Sequence, residues 1–381
     1  MKGSYQVKNK FNFQFIMNKL MLLLMPVALV LTQNLGAQNK PLPFTLTITK
    51  TPIENLPDYL TDKSPDEWMD FPVSATRIGD EFWVMLKNGE TKPAYRFKGT
   101  TFEDAQRQPD GSITTPVSRP YILGGMWYDA KDNKLYAPMH CETRGYYTTI
   151  LRQITLASST DKGLTWKYEG PIMTRDNPDK PLTTSRDASG MYWDGGEGDF
   201  YLFADEKEGY IYLYSNHYVW QKTGVAGPPF GFFTYIKHHV ARCAIKDKMA
   251  PGKWKKFYNG KWEEPALGGK ASDVEGCYVM YNSYLKKYIS FNYNGSISFC
   301  SSLTKQDWSP SYKISDTWGC PPASAWHVLN EAKNDVYSGD KVLWLYTYWE
   351  KKFYGLYKIE LDKAKSSEML GFSAGYAGTP I

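Results

Sequence analysis

Five recurrences of one aromatic-rich pattern, period-2 alternation without a sustained helical period, and turn residues inside each recurrence predict an all-β chain. The architecture they specify is a five-bladed β-propeller built from four-stranded antiparallel blades. Aromatic content agrees: Phe, Trp and Tyr make up 16% of 381 residues, with 29 tyrosines and 13 tryptophans, as in chains whose sheets pack aromatic faces. Four strands per unit, arranged radially, would bury those faces between neighbouring sheets and protect the strand edges. Seven blades would need shorter repeats.

Taken in order, residues 1–37 precede the fold. Lys19, an apolar run from Leu20 to Leu31 and a small-residue end at Gly36-Ala37 form a cleavable secretion signal, too short to span a bilayer comfortably. Met17 reads as the start, because residues 1–16 are an unusually long basic and aromatic lead, and cleavage is expected after Ala37. Residues 38–363 then carry the blades, and 364–381 a C-terminal tail. The units are "FPVSATRIGDEFWVMLKNG" into "YRFKGTTFED", "GGMWYDAKDNKLYAPMHCE" into "LASSTDKGLTW", and "GMYWDGGEGDFYLFADEKEGYIYLYSNHY" into "ARCAIKDKMAPGKW". "EGCYVMYNSYLKKYISFNYNG" into "FCSSLTKQDW" and "SAWHVLNEAKNDVYSGDKVLWLYTYWE" into "GLYKIELDK" complete them. The outer aromatics Phe102, Trp166, Trp254 and Trp308 fall roughly 50 to 90 residues apart, the spacing of blades with loop insertions. Asp132-Asn133, Gly195-Gly196 and Asn294-Gly295 are the expected turns.

The stretch Leu156–Gly170 tests whether a cluster of polar residues is a site or a turn. Ser159 and Asp161 can bond their own backbone, Gly163 can take a positive φ, and Thr165 and Trp166 start the next strand. Asp161 is therefore expected to be structural.

Net charge is +5, from 45 basic and 40 acidic residues without a basic block, which leaves no footprint for nucleic acid. The negative mean hydropathy excludes a polytopic membrane protein, and no membrane span is expected once the signal is cleaved. The five cysteines, Cys141, Cys243, Cys277, Cys300 and Cys320, show no C-x-x-C spacing, so zinc is not expected, and no local motif calls for another metal or a cofactor. They read as buried small hydrophobes. The working form is expected to be a monomer.

The fivefold layout, the outer hairpins "S-x-D-x-G-x-T-W" and "SLTKQDW", and the runs "GGMWYD…KLYAPMHCE", "GDFYLFADEKEGYIYLY" and "WKKFYNGKWEEPALGGKASD" resemble secreted bacterial five-bladed propellers of the glycoside-hydrolase type. These are related in architecture to arabinanases, invertases and neoagarobiose hydrolases. Residues 159–166 are similar to the Asp-box of sialidase-type propellers. The resemblance implies polysaccharide degradation at the central mouth, with an acid on the innermost strand of each of the first three blades. Asp70 and Asp187 match the first and third; the second blade reads "ILGGMWYD" and offers glycines, which makes Asp273 or Glu275 a replacement.

Innermost strands begin at the channel, so their starting residues converge. Asp70, Asp187 and Glu275 are the candidate catalytic carboxylates, since glycoside hydrolysis needs one acid and one base or nucleophile. His140 and Glu142 join them, because "MHCETR" alternates and would place His140, Glu142 and Arg144 on one strand face. Arg144, His217, Asp273, Trp127 and Trp326 are the candidate substrate-binding residues, arginine as an anion clamp and tryptophan as a stacking face. His238-His239 and Trp220 belong to a Gly/Pro/aromatic insertion expected to form a rim loop; His327 is a second choice. The expected partner is an oligosaccharide or polysaccharide of plant or algal origin. A polysaccharide lyase using His, Tyr and Arg on a uronate, and a non-catalytic carbohydrate-binding propeller, are the alternatives.

Overall fold

A computed structural model describes residues 44–52, 59, 73–88, 92–144, 150–176, 192–221, 233–292, 295–313, 325–349 and 352–363. The chain is all-β. Consecutive strands pair antiparallel into meanders. After β1 (Phe44–Thr51) the first meander is β2 (Ser74–Ile78), β3 (Glu81–Asn88), β4 (Ala94–Gly99) and β5 (Gln106–Thr114), paired in order. After a short β6 (Pro120–Ile122) come β7 (Trp127–Asp129), β8 (Lys134–Arg144), β9 (Ile150–Ser159) and β10 (Thr165–Met173). Next are β11 (Tyr192–Asp205), β12 (Tyr210–Gln221), β13 (Phe233–Ala244) and β14 (Lys255–Tyr258), with a fifth strand, β15 (Lys261–Pro265), at the outer edge.

The fourth meander is β16 (Tyr278–Asn282), β17 (Lys287–Asn292), β18 (Ser296–Cys300) and β19 (Tyr312–Lys313). The last is β20 (Ala325–Asn330), then β21 (Ser338–Gly339) in a connection, β22 (Val342–Trp349) and β23 (Lys352–Lys363). Its outer position is filled by β1, which pairs with β23 from Phe44↔Lys363 to Thr51↔Leu356. The first described strand thus completes the last meander, joining the two ends of the described fold by main-chain hydrogen bonds.

Apolar side chains alternate inward along these strands and pack between meanders. Phe82, Phe97 and Phe102 meet Leu329 and Tyr346 of the last meander. Trp127, Ile154 and Leu156 meet Phe200, Leu202 and Leu213 of the next one along. At about 25 cal/mol per Å² of apolar surface, such interfaces dominate the stability of a sheet protein. Cys141, Cys243, Cys277 and Cys300 are free and buried among these contacts; Cys320 lies outside the described residues.

Asp161 sits in the β9–β10 hairpin. Its Oδ1 accepts from Ser159 Oγ at 2.7 Å and from the Thr165 N–H at 2.8 Å, and its Oδ2 accepts from Thr165 Oγ1 at 2.6 Å. Gly163 has φ +80°. The turn expected at Gly195-Gly196 is instead a β-bulge inside β11, because the ladder to β12 continues on both sides of it. His238 and His239 are likewise ladder residues of β13, opposite Asn216 and Ser215, and not loop residues: "YIKHHVARC" supplies a strand pattern that outweighs the Gly/Pro run before it. Residues 222–232 of that insertion, the signal segment and the tail lie outside the described residues. Among the described residues no helix is long and apolar enough to cross a membrane.

Candidate functional site

The titratable groups gather where β11 begins. In a regular strand Asp194 and Glu197 would point to opposite faces, since successive side chains alternate. The bulge between Asp194 and Gly196 absorbs one residue, so Asp194 stands opposite Val219 and Glu197 opposite His217, and the two acids share a face. Gly196 has φ +86°, and a Cβ there would lie 2.1 Å from the Arg152 carbonyl oxygen; only glycine lets β11 approach β9 this closely. A second bulge between Gly198 and Phe200 leaves Asp199 unpaired at φ +30°, a conformation that costs energy in a non-glycine residue.

Register extends the face outward. Glu197 is opposite His217, His239 is its diagonal neighbour on β13, and Lys256 on β14 stands opposite Ala241, two residues beyond His239. Glu197 is fully buried. Its Oε1 lies 2.8 Å from His239 Nδ1, 3.4 Å from His217 Nδ1 and 3.3 Å from Lys256 Nζ, and its Oε2 accepts from Ser215 Oγ at 2.8 Å. The 3.4 Å contact lacks hydrogen-bond alignment, which leaves His217 Nδ1 a buried nitrogen without a hydrogen-bond partner. Burial alone would raise the Glu197 carboxyl, but His239, Lys256 and His217 hold it well below the ordinary carboxylate range. Lys256 also donates to the carbonyls of Thr174 and Gly269 at 2.6 and 2.9 Å, which satisfies a cation that would otherwise be costly to bury.

His217 passes this charge to the surface. Its Nε2 is 3.4 Å from Asp194 Oδ1, and the Asp194 side chain is 22% exposed. Burial lowers the His217 imidazole, yet Glu197 and Asp194 leave it raised above 6.5. Asp194 moves the other way from Glu197: desolvation raises its carboxyl, against the pull of His217 and the Gly196 N–H. Two acids on one face are thereby pushed apart, the inner one ionised and the outer one holding its proton to higher pH, the arrangement from which acid and base roles are drawn. Glu197, His217 and His239 also offer three donor atoms within 4.8 Å of one another, a set chemically suited to zinc. Lys256 already places a positive charge against the shared oxygen, so the cluster is neutralised by the protein itself.

The second bulge faces β8. His140 Nδ1 lies 2.9 Å from Asp199 Oδ1 and the same distance from the Asp199 backbone nitrogen, and its Nε2 lies 3.5 Å from Glu142 Oε1. Burial lowers this imidazole, but Asp199 and Glu142 more than offset it and raise it to about 9. In the neutral ring Nδ1 accepts the Asp199 N–H; in the protonated ring Nδ1–H is given to the Asp199 carboxylate instead. The Tyr218 hydroxyl donates to the other Asp199 oxygen, and the Arg152 guanidinium lies 4.1 Å over the Tyr218 ring. Glu142 is the hub of an ion-pair network, 3.1 Å from Arg119 and 3.2 Å from Arg152, its opposite residue on β9; despite burial these cations and His140 hold it down to about 2.

Of the residues expected from sequence, His140, Glu142 and His217 fall within this region. Asp273 and Glu275 are exposed on the segment before β16; Asp273 accepts the His238 N–H at 2.8 Å and Glu275 accepts from Ser311 Oγ at 3.1 Å. Both carboxylates act on the His238 ring, which burial leaves lowered from 6.5. Asp70 and Asp187 lie outside the described residues, and Arg144 and Trp326 are placed only as strand positions in β8 and β20. Trp127 is buried near the far end of β11 and stacks on Tyr136 at 5.6 Å. His327 is buried, accepts the Val73 N–H at 3.2 Å, packs on Phe102 and is lowered by burial to about 3. Asp194, Glu197, Asp199, His239, Arg152 and Lys256 were not expected; the signal for the three acids was their alternation with glycine in "WDGGEGDF".

No protein-family model matches the chain, and no curated protein sequence matches it. Solved structures similar to it include an exo-β-1,3-galactanase from Phanerochaete chrysosporium, at 12% identity and a TM-score of 0.41 over 83% of this chain and 64% of that one, less than two thirds of its length. A family 117 glycoside hydrolase of the marine bacterium Zobellia galactanivorans is 11% identical, with a TM-score of 0.48 over 84% and 92% of the two chains. An endo-arabinase from Bacteroides thetaiotaomicron is 11% identical, with a TM-score of 0.41 over 83% and 99%.

Proposed function

We propose that this chain is an exported glycoside hydrolase, a five-bladed β-propeller that cleaves a plant or algal polysaccharide, or oligosaccharides from it, by paired-carboxylate chemistry. The observation that carries the proposal is Asp194 and Asp199 on β11, two carboxylates with side chains 22% and 29% exposed, Asp194 backed by the half-buried His217 on one face of the strand and Asp199 turned toward the buried His140 on the other. Asp194, raised by desolvation, is the proton donor to the leaving oxygen. Asp199, oriented by His140 and Tyr218 on a strained backbone, is the base or nucleophile. Glu197, His239 and Lys256 are positioning residues that act through His217. Asp70 and Asp187 remain candidate catalytic carboxylates on the strength of the sequence alone. The five meanders and the closure of the last one by β1 support the blade count, and the signal-like N-terminus supports export.

The test is a screen of plant and algal polysaccharides with product chromatography, then Asp194→Asn and Asp199→Asn on any substrate degraded. Each variant should lose about a hundredfold or more in turnover, the loss typical of removing an acid or base, while remaining folded. New reducing ends without ultraviolet absorbance identify hydrolysis. An unsaturated uronate product would replace this proposal with a lyase built on Tyr218 and Arg152, whose stacking at 4.1 Å favours that second reading. Near-normal turnover in both carboxamide variants would end the assignment of this pair.

A further inference from the structure

A cavity of about 330 Å³ opens at the opposite end of β11 from Asp194, lined by Phe203 to Lys207 and by residues from other meanders. At a rise of about 3.3 Å per residue, and allowing for two bulges, it lies roughly 25 Å along the strand from Asp194 and about 13–20 Å from Asp199. Its size is at the lower end of the range of small-ligand sites, about 300–1,000 Å³. The wall alternates aromatic and polar groups: Trp127, Phe203, Tyr281 and Tyr337 on one hand, and Arg77, Asp205, Glu206, Lys207 and Asp335 on the other.

Much of this wall is fixed in advance. Asp205 accepts from Tyr288 Oη at 2.5 Å and from the Glu208 N–H at 3.0 Å. Asp335 accepts from the Tyr337 N–H at 2.7 Å and from Ser338 Oγ at 2.6 Å, and the Tyr337 hydroxyl donates to the Met126 carbonyl at 2.5 Å. Trp127 is 6% exposed, and among the described residues its indole N–H meets no hydrogen-bond acceptor. A buried donor without an acceptor is expensive unless something else supplies one. The charges are of mixed sign, two cations against three carboxylates, which suits neither an anion nor a cation. A polyhydroxyl ring fits both features, with a C–H face for the aromatic side chains and hydroxyls that donate and accept at once.

We propose that this cavity is a second carbohydrate site, distinct from the acid pair, that takes a single neutral pyranose ring and uses Trp127 as a hydrogen-bond donor. It does not rest on the hydrolase proposal. The experiment is titration calorimetry with indole fluorescence on the whole chain, in an Asp194→Asn background to silence turnover, against neutral hexopyranoses and pentopyranoses and their uronate counterparts at millimolar concentration. Saturable one-to-one binding of a neutral sugar is expected. Trp127→Phe and the exposed-site variant Lys207→Ala should each weaken it by about tenfold or more, the equivalent of one lost hydrogen bond to the ligand. No saturable neutral-sugar binding, binding untouched by both variants, or binding of uronates alone would overturn it. Binding without any hydrolysis by the parent chain would sink the hydrolase proposal and leave this one standing.

Discussion

Replacing His140 by glutamine removes the one buried group here whose charge is tied to both Asp199 and Glu142. The imidazole is 5% exposed, 2.9 Å from Asp199 and 3.5 Å from Glu142, and is raised from 6.5 to about 9. An imidazole raised from 6.5 to about 9 corresponds to about 3 kcal/mol of preference for the charged form in the folded state. Because the folded value is the higher one, this stability is fully present below pH 6.5 and is lost as pH rises through about 9. Glu142, held down to about 2 by His140 and also by Arg152 and Arg119, shares only part of this coupling, and that part is not counted twice. Urea unfolding of parent and His140→Gln at pH 6 and pH 10 measures it. The parent should lose about 3 kcal/mol more than the variant between the two. Equal pH dependence in both proteins, or an imidazole titration at or below 6.5 by NMR, would refute the electrostatic account of this site.

Two further outcomes concern the inner relay and the outer hairpin. Lys256→Met strands the fully buried Glu197 with its charge under-compensated and should cost about 3–5 kcal/mol in chemical unfolding, most of it recovered in the double variant with Glu197→Gln; a single-variant loss below about 1 kcal/mol would show that Lys256 does not hold the carboxylate. Asp161→Asn weakens the hydrogen bonds from Ser159 and Thr165 and should cost about 0.5–2 kcal/mol with turnover per folded molecule unchanged, so a large loss of turnover would make Asp161 part of a site.

What could be read from the sequence was local. The Ser159–Thr165 hairpin declares itself because every bond Asp161 makes lies within six residues, and side-chain oxygens at that spacing have few other uses. The strand content declares itself through alternation. The pairing of β1 with β23 does not, since Phe44 and Lys363 are neighbours only after the intervening meanders have formed and neither segment carries a mark of its partner. Lys256 is equally silent: adjacent Lys255 and Lys256 are identical in sequence, and only the strand's facing exposes the first and buries the second against Glu197.

The acid cluster was hidden for a different reason. Gly195-Gly196 carries the composition of a turn, and a turn there would have ended the strand before Glu197. The glycines serve another need: the Arg152 carbonyl comes so close to Gly196 that no side chain fits, and the positive φ that follows produces a bulge with the ladder intact. That one absorbed residue turns an i, i+3 pair of carboxylates onto a single face, and the second bulge turns Asp199 away from it toward His140. Glycine in such a strand reports a backbone approached by its neighbour. Where acids alternate with such glycines at the start of a strand, the spacing that matters is the spacing after the bulges are removed.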